Sequence, residues 1–153
     1  MTPPTLELPT ETPLGIDSSF LKTLLGYNAR RAASAIMALF DKRMAALDLK
    51  PVEFSILSVV GRNPGVTPSQ LCAELAVLPP HLTKLLARLD KRQLLTRTVL
   101  ASDKRAVCLC LSAAGVGLLA QAETTVTQLE ADAASALTSK QLKTLNELLQ
   151  KIY

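Results

Sequence analysis

Basic side chains recur every three or four positions in the middle of the chain: His81, Lys84, Arg88 and Lys91. In a helix that spacing brings all four to one face, opposite an apolar stripe. The stripe consists of Leu82, Leu85, Leu86 and Leu89. Lysine can donate to N7 and O6 of guanine in the major groove, and lysine or arginine can neutralise phosphates. The spacing therefore predicts a helix that contacts duplex DNA. The alternative is a basic face that is only solvated.

A second charged cluster, Asp103-Lys104-Arg105, lies in a polar turn predicted over residues 101–105. The turn separates two segments, 95–99 and 107–111, in which β-forming residues alternate with period two. This pattern predicts a β-hairpin with a charged tip. Arg105 at such a tip could enter a minor groove narrowed by A·T pairs, and Lys104 is a predicted phosphate contact.

The distribution of charge favours an anionic partner for these two clusters. Residues 79–111 hold seven Lys or Arg and two Asp, a net charge of +5, whereas the whole chain carries +4. A winged helix that contacts only other proteins is the alternative function. Such a protein has no need for so basic a segment around the groove-facing elements.

The sequence gives little support to enzyme chemistry. His81 is the single histidine, which excludes a histidine-rich metal site, and P-loop, G-x-G-x-x-G, G-x-S-x-G and H-E-x-x-H motifs are absent. Three cysteines without a CxxC pair fit a reducing compartment. Neither a signal peptide nor a membrane span is indicated. We predict a cytoplasmic protein that is not an enzyme and needs no metal or cofactor.

The remaining elements would position the two clusters. Residues 1–16 contain four prolines and predict an extended or disordered arm. Residues 17–48 predict one long helix capped by Asp17. Residues 49–111 predict three short helices and the hairpin, and residues 112–153 predict two further helices. The predicted fold class is mainly α with a small β-hairpin wing, a winged helix-turn-helix flanked by N- and C-terminal dimerisation helices.

Apolar residues recur at helical spacing at both ends of the chain. In the last predicted helix they are Leu142, Leu145, Leu148, Leu149 and Ile152. These stripes have no obvious partner inside a small winged domain, so they predict a homodimer with a roughly palindromic DNA site. The alternative is that the terminal helices pack within one chain.

Three segments resemble the MarR family of winged-helix regulators. Ser102-Asp103-Lys104-Arg105-Ala106 is similar to the family's D-x-R wing, and residues 111–115, LSAAG, to its L-[ST]-x-x-G entry into the next helix. Residues 82–92, LTKLLARLDKR, resemble its recognition helix. The family usually has a helix-ending glycine at the position of Gln93. Gln93 would therefore need a positive φ, or the helix would end differently.

The resemblance implies a ligand-responsive transcriptional regulator, by default a repressor, in which Asp103 holds Arg105 by an ion pair. The predicted DNA contacts are Thr67, Ser69, Pro80, His81, Thr83, Lys84, Arg88, Lys91, Asp103, Lys104 and Arg105. His81 and Lys84 are the predicted base contacts, although His81 could equally be an ordinary surface histidine. A cysteine redox sensor is a further alternative, but redox-sensing relatives carry that cysteine near the first helix, where this chain has none.

A ligand site is predicted on the first helix. Many relatives bind small aromatic anions between this helix and the DNA-binding lobe. Asn28 and Arg31 lie three residues apart in the polar interruption of an otherwise apolar helix, and Arg31 could pair with a carboxylate. Phe54 could line such a pocket or belong to the core. The polar residues could instead be exposed or contact a second subunit.

Overall fold

The computed structural model describes residues 15–100 and 103–153, and it describes side chains outside residues 99–106. The described residues divide into two compact units, residues 15–34 and the described residues from 35 onward. The elements in chain order are α1 (Ser19–Lys22), α2 (Leu25–Met44), a 3-10 turn (Ala45–Leu47), α3 (Pro51–Arg62), α4 (Pro68–Glu74), α5 (Pro79–Lys91), β1 (Leu95–Leu100), β2 (Asp103–Leu111), α6 (Ala113–Ala133) and α7 (Ser139–Leu149). This order confirms the predicted fold class. The predicted arm lies mostly outside the described residues.

The predicted single helix over residues 17–48 is wrong, because the helix is interrupted at Thr23 and Leu24. The Thr23 hydroxyl donates to the carbonyl of Phe20 (2.7 Å). The Asn28 amide donates to the carbonyls of Lys22 (2.8 Å) and Leu24 (3.0 Å). These side chains offer the backbone an alternative to continuous helical bonding.

Three short helices, α3, α4 and α5, form the helix-turn-helix region. Each begins with a proline at its first position, where the missing N–H costs nothing. Thr67 caps α4 in a reciprocal box: Gln70 N–H donates to the Thr67 hydroxyl oxygen (3.3 Å), and Thr67 N–H donates to Gln70 Oε1 (2.9 Å). The three short helices predicted within residues 49–111 are therefore present.

β1 and β2 form an antiparallel hairpin in which Leu95 pairs with Leu111 and Thr98 pairs with Cys108. β2 begins at Asp103, so Asp103, Lys104 and Arg105 belong to a strand and not to the polar turn predicted for them. Leu109 N–H donates to Val66 O (2.9 Å), which ties the hairpin to the chain between α3 and α4. The wing is therefore anchored to the helix-turn-helix through backbone hydrogen bonds.

One hydrophobic core joins the end of α2 to α3, α4, α5, the hairpin and α6. Its fully buried members include Met44, Ile56, Leu57, Leu71, Leu82, Leu89, Leu109 and Leu129. Because α5 buries Leu82, Leu86 and Leu89 in this core, its opposite face turns to solvent. The core thereby sets which side chains of α5 a partner can reach.

The end of α5 is fixed against the start of α6. Gln93 has φ of 56°, and its N–H donates to Asp90 O (2.8 Å) while Leu94 N–H donates to Leu89 O (3.1 Å). This is a Schellman ending, and it confirms the first of the two alternatives for Gln93. A Cβ on Gly115 would lie 2.1 Å from Leu94 O, so the glycine lets α6 approach this turn.

α7 is amphipathic, yet none of its residues is buried. Leu145 is 43% exposed and Leu148 is 53% exposed. Farther along, Ile152 is 61% exposed.

In residues 15–100 and 103–153, no helix combines the length and apolar character that a membrane crossing needs.

Candidate nucleic-acid interface

The outer face of α5 is the central element of the candidate interface. Its exposed residues are Pro80, His81, Thr83, Lys84, Ala87 and Lys91. Pro80, Lys84, Ala87 and Lys91 follow one another at three- and four-residue steps, with His81 and Thr83 beside them, so the side chains form a continuous strip along the helix. A strip of this kind fits the width of a B-DNA major groove. The structure thus brings together five of the predicted contacts: Pro80, His81, Thr83, Lys84 and Lys91.

Lys84 and Lys91 differ from the arginines nearby in their partners. Within the described part of the chain, neither ammonium group lies in an ion pair. Thr83 is partly engaged, because its hydroxyl donates to the carbonyl of Pro79 (2.9 Å). The two lysines therefore offer their full charge to a phosphate or a base edge.

Arg88 has a different environment from the one predicted for it. Its Nη1 lies 2.6 Å from both carboxylate oxygens of Glu53, and its Nη2 lies 2.6 Å from Asp48 Oδ1. The hydrogen bonds to Glu53 are the main cause that raises the pKa of Arg88 above its ordinary value, and Asp48 adds to it. The phosphate contact predicted for Arg88 remains a prediction, and in the structure its guanidinium is held by two carboxylates of its own chain.

Two further arginines of the basic segment are also held within the chain. Arg92 donates from Nη1 to Asp48 O (2.6 Å) and from Nη2 to Leu47 O (2.9 Å). Arg97 in β1 pairs with Asp90 of α5 at 2.5 Å. The net charge of +5 therefore overstates what this segment presents to a partner.

The start of α4 was predicted to meet phosphate through Thr67 and Ser69. The Thr67 hydroxyl is occupied by the capping box, both as acceptor from Gln70 N–H and as donor to Gln70 Oε1 (3.0 Å). Ser69 is exposed in the first turn of α4. Of these two hydroxyls, Ser69 is the one that the fold presents to solvent.

The wing residues Asp103, Lys104 and Arg105 have side chains outside the described part of the structure. Their backbone lies in β2, at the end of the hairpin away from the Leu95–Leu111 pair. The predicted ion pair between Asp103 and Arg105 and the predicted minor-groove contact both remain predictions.

The three predicted ligand-binding residues have distinct surroundings. Asn28 uses its amide nitrogen on backbone carbonyls, as described above. Arg31 is exposed, and the neighbouring Arg30 stacks over the ring of Tyr27 at 5.5 Å. Phe54 is half-buried and its ring centroid lies 6.1 Å from that of Phe40, which agrees with the core alternative for Phe54.

Sequence reasoning missed Asp48, Glu53 and Arg92. Glu53 is the single charged residue in a mostly apolar helix segment, residues 51–60, and that isolation was the available signal. An acidic residue placed among apolar neighbours needs a cationic partner if it is buried.

Among residues 15–98 and 107–153, no group of His, Cys, Asp and Glu side chains could hold a metal ion.

Comparison with known proteins connects this geometry to DNA. The sequence model of the MarR family matches residues 47–106, which include the helix-turn-helix. The structure of the transcriptional repressor CouR bound to a 23-mer DNA duplex superimposes with a TM-score of 0.85 and 30% identity, covering 90% of this chain and 98% of that chain. CouR bound to p-coumaroyl-CoA gives a TM-score of 0.80 and 29% identity, covering 90% and 97%.

A curated relative supports the same conclusion. The putative transcriptional regulatory protein for the hcr operon of Thauera aromatica is 28% identical over 130 residues, covering 84% of this chain and 78% of that protein. The relatives named above are transcriptional regulators, in agreement with the predicted regulator and not with an enzyme. The chain belongs to the MarR family of winged-helix transcriptional regulators.

Proposed function

We propose that this chain is a homodimeric repressor that binds a palindromic operator and is released by an aromatic carboxylate or its thioester. The observation that carries the proposal is the exposed strip on α5, with Lys84 and Lys91 unpaired in the described part of the chain. The strip is presented by a fold that superimposes on a repressor bound to duplex DNA.

The proposed base contacts lie in the first two turns of α5. His81 and Lys84 are exposed there, and the N-terminal residues of a recognition helix are those that reach base edges. Lys91 lies two turns beyond Lys84, where phosphate contacts are expected. In the proposed wing, Lys104 neutralises a phosphate and Arg105 enters the minor groove, oriented by Asp103.

The homodimer is proposed from uncovered apolar surface. In residues 35–153, Val116, Leu137, Leu145 and Leu148 are large apolar side chains with at least 40% exposure. In the N-terminal unit, Phe20 is 72% exposed and Leu25 is 61% exposed. Large apolar side chains left exposed in this number favour an interaction site, and a twofold dimer presents two recognition helices about one DNA turn apart.

The effector class is proposed from a relative and from one exposed cation. CouR binds p-coumaroyl-CoA, an aromatic acyl thioester whose CoA part carries phosphates. Arg31 is exposed and could pair with a carboxylate or phosphate oxygen. The free acid and the CoA thioester differ strongly in charge and size, so a direct comparison separates them.

Selection of binding sites from a random duplex pool tests the DNA-binding part of this proposal. The full chain should enrich two inverted half-sites with centres about 10 base pairs apart, and it should bind them as two chains per duplex. Lys84→Ala should weaken binding to the selected duplex by about ten- to a hundredfold, since one good base contact contributes roughly 1–3 kcal/mol.

The matched control for Lys84→Ala is Lys140→Ala, which removes an equally exposed lysine from the first turns of α7. It changes the net charge of the protein by the same amount as Lys84→Ala. Because α7 lies outside the candidate interface, operator affinity should stay within about twofold of the wild type. Selection of no consensus sequence, or equal losses in both variants, would contradict operator recognition by α5.

The effector part has its own assay on the same complex. p-Coumarate and p-coumaroyl-CoA are titrated separately into wild-type protein bound to the selected duplex, with Arg31→Gln as the variant. Release of DNA by either compound, weakened in Arg31→Gln, is the expected result. If neither compound releases DNA from the wild type, the proposed effector class is wrong, and the DNA-binding proposal stands.

A further inference from the structure

The carboxylate of Glu53 is completely buried, the one charged side chain with that property in the described part of the chain. Its Oε2 accepts the backbone N–H of Lys50 at 2.9 Å, which caps the start of α3. Both of its oxygens lie 2.6 Å from Nη1 of Arg88, on α5. Glu53 therefore links the N-terminal turn of α3 to the last turn of the recognition helix.

A second contact lies beside the first. Asp48 follows the 3-10 turn and has φ of 48°, a left-handed conformation that aspartate tolerates better than most residues. Its carboxylate receives Nη2 of Arg88 at 2.6 Å, and its carbonyl receives Nη1 of Arg92 at 2.6 Å. Arg92 also donates to Leu47 O, so Arg88 of α5 and Arg92, the residue directly after α5, hold the chain between α2 and α3.

Two arginines spaced four residues apart lie on the same side of a helix. By binding one short segment, residues 47–53, they restrict both the rotation of α5 about its axis and its sliding along that axis. A buried carboxylate is tolerated only while its cationic partner stays in place, because the unpaired charge would be strongly destabilising. The Arg88 guanidinium thus has one strongly preferred position.

We propose that Glu53, Arg88, Asp48 and Arg92 form a clamp that sets the angle at which α5 enters the major groove. The four side chains act as positioning residues for operator recognition and do not themselves contact DNA. This inference rests on the proposed function, since it assumes that the outer strip of α5 reads the operator.

Glu53→Gln separates a positioning role from a phosphate contact. The amide keeps the size of the side chain and can still accept the Lys50 N–H, but it no longer neutralises Arg88. If Arg88 bound phosphate, its release from Glu53 would leave operator affinity unchanged or increase it. With the clamp, Glu53→Gln weakens operator binding at least tenfold, although the variant has one more net positive charge.

The readout is affinity for two duplexes of equal length, the selected operator and an unrelated sequence, measured over a salt series with full-length protein. A positioning residue lowers the ratio of operator to unrelated affinity and leaves the salt slope unchanged. Loss of a phosphate contact lowers that slope by about one. A merely unfolded fraction lowers both affinities equally and leaves their ratio as in the wild type.

Asp48→Asn is the second variant, because it removes one carboxylate of the clamp and asparagine also tolerates a left-handed backbone. The Asp48 side chain is 69% exposed, so the fold should survive the change. It should lower the operator-to-unrelated ratio by a smaller factor than Glu53→Gln. Arg88→Lys should also lower the operator-to-unrelated ratio, although it keeps the positive charge, because a single ammonium cannot reach both Glu53 and Asp48 with paired donors.

Wild-type ratios in both Asp48→Asn and a folded Glu53→Gln would overturn the clamp. A salt slope in Arg88→Gln that is lower than in wild type would do the same, because loss of this charge would then have removed a phosphate contact. If wild-type protein itself does not prefer the selected duplex, the proposed function fails, and the clamp fails with it for that separate reason.

Discussion

α5 and α7 are both amphipathic helices of similar length, 13 and 11 residues, but they differ in the burial of their apolar faces. The apolar face of α5 is fully covered, with Leu89 at 0% exposure and Leu86 at 4%. The apolar face of α7 remains open, with Leu148 at 53% exposure. Amphipathic spacing thus indicates that a face will be covered, but it does not indicate by which molecule.

The difference also separates two kinds of partner. Because the core covers the apolar side of α5, the side left for a partner is polar and basic, which suits DNA. Because nothing in the described part of the same chain buries the apolar side of α7, the side left for a partner is hydrophobic. A second copy of the chain is the proposed partner for that surface, in an isologous interface.

Leu89→Ala tests the covered side of the comparison and should have the largest effect. Removing a fully buried leucine leaves a cavity, so the free energy of unfolding should fall by about 3 kcal/mol. Denaturant unfolding measures this loss. Leu148→Ala is the matched control. If it lowers the unfolding free energy of the monomer as much as Leu89→Ala does, the contrast between the apolar faces of α5 and α7 is wrong.

Leu148→Asp tests the open side. A charge placed in an apolar interface is desolvated without a partner, so the dimer dissociation constant should rise at least tenfold, by more than about 1.4 kcal/mol. Sedimentation equilibrium measures the constant, and circular dichroism should show an intact fold. Asn146→Asp introduces the same charge at another exposed position of α7 and should leave the dimer intact. An unchanged dimer in Leu148→Asp would remove α7 from the interface.

Local signals explain which elements could be predicted from the sequence. The bounds of α4 and α5 follow from Pro68, Pro79 and the Thr67 capping box, all of which act within four residues. The break in the first helix was missed because it depends on how the Asn28 amide divides its bonds between two carbonyls. Such competition between side chain and backbone leaves no periodic trace in the sequence.

The candidate site shows a second limit, set by distance along the chain. The strip on α5 was predictable because its members are three or four residues apart. The role of Arg88 was not, because its partners lie 35 and 40 residues away, in Glu53 and Asp48. A basic residue on a recognition helix therefore cannot be assigned to DNA until the tertiary partners of its charge are known.

Lys91→Gln sharpens the distinction within α5 between exposed lysines and clamped arginines. Because the proposed dimer loses one phosphate contact in each chain, operator binding should weaken several-fold, by about 1 kcal/mol, and the salt slope should fall by about two. The loss should be equal for operator and unrelated duplexes, because phosphate contacts do not specify sequence. Lys140→Gln is the control. An unchanged slope in Lys91→Gln would place this lysine away from DNA.

Gln93→Gly tests how α5 is fastened to its own domain and should have the smallest effect. A left-handed conformation costs a residue with a Cβ roughly 1–2 kcal/mol, whereas glycine adopts it freely but loses more entropy on folding. The net gain in unfolding free energy should be about 0.5–1 kcal/mol, measured by denaturant titration, with operator affinity unchanged. Gln93→Ala keeps the Cβ and should bring no gain. In the observed turn Gln93 has a positive φ, and its carbonyl accepts the Ser112 hydroxyl at 2.7 Å. An equal gain from glycine and alanine would mean that residue 93 does not adopt a positive φ and that α5 ends differently in solution.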